Sequence, residues 1–208
     1  WNGRRVIGMS DGMFGLVDGM NDRGLAVSLT FGGRTIVGDG FGVPIILRYI
    51  LEFCDDVKQA AEVLSYIPCH MAYNVTVADK TGKYATVYLS PDREALVTDH
   101  RVATNHQERV EWHRHARATA TVERERFLLQ RLTLHEEPAH RFIGAFLKPP
   151  LYSTAFSKGF GTIYTAVYWP KKGIAEYRWP NVEWAQRIKS PVEGKRHIRF
   201  PLNDDVTV

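Results

Sequence analysis

Between Leu25 and Phe31 the chain alternates. Leu25, Val27, Leu29 and Phe31 are large and apolar, while Ala26, Ser28 and Thr30 between them are small or hydroxylated. A period of two marks a strand with one buried face. The turn formers Asp18-Gly19-Met20-Asn21-Asp22-Arg23-Gly24 precede it and Gly32-Gly33 follows it. Shorter strands are predicted from Arg4 to Met9 and from Met13 to Val17. A helix is predicted from Val43 to Phe53, with Pro44 tolerated in its first turn. A second helix runs from Val57 to Tyr66, capped by Asp55, with Ala60, Ala61, Val63 and Leu64 as its apolar stripe. Strands are then predicted at 72–78, 83–90, 95–98 and 101–104, and helices from Ala118 to Leu132 and from Pro138 to Phe146, the latter stopped by Pro149-Pro150. Strands 161–169 and 174–179, joined by the turn Pro170-Lys171-Lys172-Gly173, end the pattern.

This order lacks the strand–helix rhythm of a parallel sheet. It predicts an α+β fold of mostly antiparallel sheets with helices packed outside. The 208 residues are 44% hydrophobic and 24% charged, enough for the core of one domain. A single domain over 1–208 is expected, with 187–208 as an extended basic tail holding Arg187, Lys189, Lys195, Arg196 and Arg199. The net charge of +4 does not point to nucleic acid, because no aromatic–basic repeat accompanies it. No apolar run approaches membrane-spanning length. Trp1-Asn2-Gly3-Arg4-Arg5 is not followed by the apolar core of a signal peptide, so a cytoplasmic location is expected.

Cys54, on the first helix, and Cys69, after Pro68, read as small buried thiols of a reduced protein. Asn74-Val75-Thr76 matches a glycosylation sequon but falls in a predicted strand and is discounted. His100, His106, His113 and His115 crowd one segment without ligand spacing, so no metal is expected. No phosphate-cradling glycine loop, Gly-x-Ser-x-Gly elbow or Cys-x-x-Cys is present, and no cofactor is implied.

Three ordered segments carry a resemblance. The string Asp18-Gly19-Met20-Asn21 with Gly24-Leu25 and a strand ending Leu29-Thr30-Phe31 is similar to one in N-terminal-nucleophile amide hydrolases, the choloylglycine hydrolases, penicillin V acylases and 6-aminopenicillanic acid acyltransferases. Thr104-Asn105-His106 resembles their Thr-Asn strand end. Tyr73 to Asp79, then Gly82 and a strand from Tyr84 to Leu89, resembles their strand, Asp-x-x-Gly, strand hairpin. The resemblance implies a four-layer αββα sandwich, incomplete at its N-terminus.

It also implies a hydrolase or acyltransferase acting on linear amide C–N bonds through a cysteine acyl-enzyme. An N-acyl amide or acyl-CoA-like compound would be the substrate. The family's nucleophile is an N-terminal cysteine whose own α-amine is the base. Trp1 is not that residue, so the cysteine and its Arg-Asn-x-Asp companion are expected upstream. The 208 residues alone are expected to be inactive, with an open sheet edge or trough beside strand 25–31.

Asn105 matches the oxyanion asparagine; the alternative is a turn asparagine satisfied by backbone. Arg124, in Thr121-Val122-Glu123-Arg124, matches the family's arginine, with Arg114, Arg117 and Arg126 as neighbours and a solvent-facing arginine as the alternative. Thr30, where relatives show Asn or Tyr, and Phe31 would face the substrate. So would His106, unless its ring merely packs at the strand end. Gly32 and Gly33 would allow close backbone approach or form a simple turn. Homo-oligomers remain open. A rival reading is a non-catalytic αββα protein that binds an acylated small molecule or partner.

Overall fold

The computed structural model describes residues 3–134 and 137–200. Strands β1 (Val6–Asp11), β2 (Gly15–Asn21), β3 (Leu25–Phe31), β4 (Tyr73–Asp79), β5 (Tyr84–Ser90) and β6 (Arg93–Thr98) form one antiparallel sheet in chain order. The alternation at 25–31 therefore lies in an interior strand, paired with β2 through Asp18↔Ser28 and with β4 through Thr30↔Asn74. A second antiparallel sheet holds β7 (Thr165–Trp169), β8 (Ile174–Trp179) and β9 (Val182–Arg187), and β7 lies against β2.

Helices α1 (Val43–Phe53) and α2 (Val57–Tyr66) cover the outer face of the large sheet. Ile46, Leu47, Ile50, Leu51 and Leu64 pack there on Leu25, Val27, Val75, Val77 and Val87, all nearly inaccessible. Close packing at this density makes removing one such side chain cost about 2–5 kcal/mol. Asn21 ties this layer together. Its amide donates to Leu51 O (3.0 Å) in the last turn of α1 and to Cys54 O (2.8 Å) just past it, while its oxygen accepts from Arg23 N and Leu25 N across the hairpin turn. Gly24, at φ +82°, closes that turn. On the opposite face Asp18 is buried and accepts from Tyr164 (2.5 Å) and Tyr168, joining the two sheets. The most motif-like stretch of the sequence thus holds the fold.

Several expectations need correction. Asp56 caps α2, accepting from Gln59 N at 2.9 Å, whereas Asp55 pairs with Arg4. Cys54 sits just past the end of α1. Residues 101–104 form no strand, and only Thr104 bridges, to His106. The helix expected over 118–132 is α4 (Thr121–Leu132), and an unexpected short helix, α3 (His113–Ala118), precedes it, the two divided at Ala120 with φ +47°. The helix expected from Pro138 to Phe146 is present as α5 (Ala139–Ala145). Strand β9, not expected from the sequence, completes the second sheet and ends on Arg187, the first residue of the expected tail. Residues 201–208 of the expected tail lie outside the described residues.

Strand β3 has no open edge, since both neighbours are in place. Ser28 is instead exposed in the middle of this interior strand.

Candidate active site

At the C-terminal end of β3 the chain crosses to the segment 104–107 through a dense set of side-chain bonds. Thr30 Oγ1 donates to Thr104 O at 2.9 Å and accepts from Asn74 Nδ2 at 3.1 Å. Asn74, 1% exposed, also donates to Thr104 O (2.8 Å) and His106 O (2.9 Å), bracketing Asn105 from beneath. Gln107 donates to Leu89 O at 2.9 Å. Gly33, at φ +69°, presses against Asn105, and a Cβ there would stand 2.3 Å from the Asn105 carbonyl oxygen. The close approach that this glycine permits is to the Asn105 backbone.

Asn105 is thereby held with its side chain in reach of Arg124 on α4. Arg124 donates to Asn105 Oδ1 at 2.5 Å and to Thr119 O at 2.9 Å. A guanidinium has donors only, so this bond fixes which side-chain atom of Asn105 is the oxygen. The Asn105 amide nitrogen then faces the end of β3, where its contact with Phe31 O is long, 3.5 Å. Burial pushes the Arg124 pKa below its usual value, opposed by the charge of Glu123. Among the described residues no carboxylate pairs with Arg124.

His106 is engaged at both nitrogens, Nδ1 with Thr121 Oγ1 (3.0 Å) and Nε2 with Glu125 (3.3 Å). Thr121 in turn donates to Thr104 Oγ1 at 2.9 Å. His106 therefore fastens the segment to α4, and Thr30 spends its hydroxyl proton on Thr104 O. Phe31 stands half-buried in a cluster of rings, with His115 at 5.2 Å, Tyr73 at 6.0 Å and Trp112 at 6.4 Å between centroids. His115 stacks on Trp112 and its Nδ1 is buried without a partner. Burial, then the charge of Arg124, lowers its pKa from 6.5.

The structure thus brings together Thr30, Phe31, Asn105, His106 and Arg124, drawn from β3, one loop and α4. Arg117, the other candidate for this position, is exposed on α3. Sequence reading missed Asn74, Thr121, Trp112 and His115. Asn74 had a visible signal, an asparagine inside an apolar strand, but the sequon drew the attention. Among the described residues no group of three or more His, Cys, Asp or Glu is arranged to hold a metal ion, and no helix is long and apolar enough to cross a membrane. Both thiols are buried, Cys54 with its pKa pushed up to about 11 by desolvation and Cys69 raised by the same cause.

The sequence model of the family described as acyl-coenzyme A:6-aminopenicillanic acid acyl-transferase matches residues 3–184. No curated protein matches the chain. Among solved structures, a mutant of the conjugated bile acid hydrolase from Clostridium perfringens is similar at 16% identity and TM-score 0.53, over 98% of this chain and 84% of that one. Penicillin V acylase from Agrobacterium tumefaciens is similar at 17% identity and TM-score 0.60, over 85% and 67%. A Caenorhabditis elegans ortholog of N-acylethanolamine-hydrolyzing acid amidase is similar at 15% identity and TM-score 0.55, over 80% and 75%. At these identities the likeness is one of fold.

Proposed function

The chain belongs to the acyl-coenzyme A:6-aminopenicillanic acid acyl-transferase family, and from that premise we propose that the protein cleaves or exchanges the linear amide C–N bond of an N-acylated small molecule. Its fold is the N-terminal-nucleophile sandwich that the sequence implied. The observation that carries the reading is the Asn105–Arg124 pair. It is a carboxamide with its oxygen locked and its N–H left for an acceptor, backed by a half-buried cation that has no carboxylate of its own among the described residues.

Such a pair suits a developing oxyanion. Attack on an amide carbonyl places negative charge on its oxygen. A donor fixed in advance stabilises that charge without reorganising. Arg124 holds the donor in place and adds positive charge nearby. Phe31 offers the half-buried apolar surface next to it. Thr30 and His106 act as fasteners of the loop, because their polar atoms are already bonded. The nucleophile in this proposal is a cysteine N-terminal to Trp1, with its α-amine taking the thiol proton. The acyl-enzyme then passes to water or to an amine. Cys54 and Cys69 are poor alternatives, since burial holds both as thiols.

The natural full-length protein should release amine from a panel of N-acyl amino acids and of phenylacetyl or phenoxyacetyl amides. Asn105→Ala should lower its turnover about 10²–10³-fold, the loss expected for one oxyanion donor. Residues 1–208 expressed alone should be inactive. Undiminished turnover in Asn105→Ala, or activity of the 208 residues abolished by Cys69→Ser, would overturn this assignment.

A further inference from the structure

Away from the Asn105 loop, at the opposite border of the large sheet, edge strand β1 faces β8 and β9 across a crevice of about 610 Å³, closed on one side by residues 191–198. That size falls in the range of small-molecule sites. Its walls are apolar and aromatic, with Val6 on β1 and Tyr177 and Trp184 on β8 and β9. Its floor is bare at Gly8, where no larger residue fits: a Cβ would meet Asp18 O at 2.4 Å.

The segment that closes the crevice is clamped. Gln186 Nε2 donates to Val192 O at 2.7 Å, and Val192 N donates back to Gln186 Oε1 at 2.8 Å. This brings Lys195, Arg196 and His197 to the crevice wall, while no aspartate or glutamate lines it. Arg196 packs over the Trp184 ring at 5.2 Å and spends one N–H on Lys195 O. Neither Lys195 nor Arg196 has a carboxylate partner among the described residues. Glu193 faces the adjoining, more open groove. The expected solvated tail is in this part the basic wall of an apolar cavity.

We propose that this crevice binds an amphipathic anion, its apolar body between β1 and the aromatic rings of β8 and β9 and its charged head on Lys195 and Arg196. The charge complement selects this ligand over a neutral lipid. The crevice's volume, about 610 Å³, suits a small molecule rather than a protein partner. The proposal is independent of the amide chemistry, since none of these residues belongs to the Asn105 site.

The test is titration of the natural full-length protein with decanoate, decanol and inorganic phosphate, read by quenching of tryptophan fluorescence and by calorimetry. Decanoate should bind, decanol more weakly by about tenfold, as expected when a charge-assisted bond is lost, and phosphate not measurably. Trp184→Ala should weaken both decyl compounds. Lys195→Gln with Arg196→Gln should weaken decanoate about tenfold, leave decanol unchanged and leave amide turnover unchanged. Arg196→Gln alters an exposed side chain, so it reports even where Trp184→Ala unfolds the sheet. Equal affinity for decanoate and decanol would overturn the proposal, as would decanoate affinity indifferent to the charge variants. Binding by residues 1–208 that disappears in the full-length protein would also overturn it, by showing the crevice filled by the protein's own chain.

Discussion

Asn74 carries more of the site than its place in the sequence announced. Its two amide protons serve the carbonyls of Thr104 and His106, and both lie on the loop that presents Asn105. Asn74→Ala would leave the His106 carbonyl without this donor, while Thr104 O keeps the Thr30 hydroxyl. An unpaired buried group costs about 1–3 kcal/mol, so a loss of that size is expected in urea denaturation. A change within about 0.5 kcal/mol, the range of an ordinary surface substitution, would show that water or a shifted loop replaces it. Asn105 and Arg124 were legible through a resemblance, because short polar strings at strand ends survive as patterns. Asn74 was not, since its role depends on a loop thirty residues away along the chain. The bonds that tie Thr30 to Thr104 and His106 to Thr121 were not readable either. Sequence marks a side chain's type and neighbourhood, whereas the partner that uses up its proton is a tertiary fact.

The helices show the same division between local and imposed structure. The bounds of α1 and α2 were readable because amphipathic periodicity is a local signal, although the capping aspartate is Asp56 and not Asp55. The division of α3 from α4 was not, because alanine is the strongest helix former and Ala120 sits where the chain turns left-handed. That conformation costs a non-glycine residue about 1–2 kcal/mol. It is maintained by the ties around it: Arg124 holds Thr119 O, and Thr121 holds Thr104. A continuous helix predicts that Ala120→Gly destabilises by about 1 kcal/mol. The structure predicts the opposite sign, a gain of about 1 kcal/mol from relieved strain. Thermal unfolding of the single variant decides between them, and a clear loss would mean that 113–132 is one helix. Strand β9 was missed for a related reason. Val182–Arg187 alternates weakly and is rich in charge, and its pairing comes from β8 beside it.

At the scale of the whole molecule the layers were legible and their juxtaposition was not. A strand whose one face is buried fixes its register, so alternation at 25–31, 73–79 and 84–90 suffices to build the large sheet. How the second sheet sits over it, leaving Ser28 open, depends on contacts such as Asp18 with Tyr164 and Tyr168, more than 140 positions apart. The charges that hold these layers and loops give the molecule a definite acid response. Hydrogen bonds from Arg34 and then Ser90 hold the Asp92 carboxyl well below the usual range, and Arg93 and Arg34 do the same for Glu111. Burial would raise Asp79, but bonds from Thr81, Val57 and Lys83 outweigh it and lower the pKa. Each group contributes stability above its unfolded value near 4, and loses it as pH falls through the lower folded value. His115 is also lowered, by burial and by Arg124. The unfolded chain takes up that proton first as pH drops below 6.5, and stability begins to fall there. Asp18 has the reverse sign. Burial raises its pKa against the tyrosine bonds, so acidification through that raised value favours the folded state and partly offsets the other carboxylates. The urea midpoint should therefore decline in two stages, one starting near pH 6.5 and a steeper one below about 4. His115→Phe, which keeps a ring against Trp112 and Phe31, should remove the first stage and leave the second. Arg34→Met should instead flatten part of the second, because Asp92 loses the partner that depresses it most while Glu111 keeps Arg93. A first stage that survives His115→Phe would place its proton on another group and separate the ring cluster beside Asn105 from the acid response.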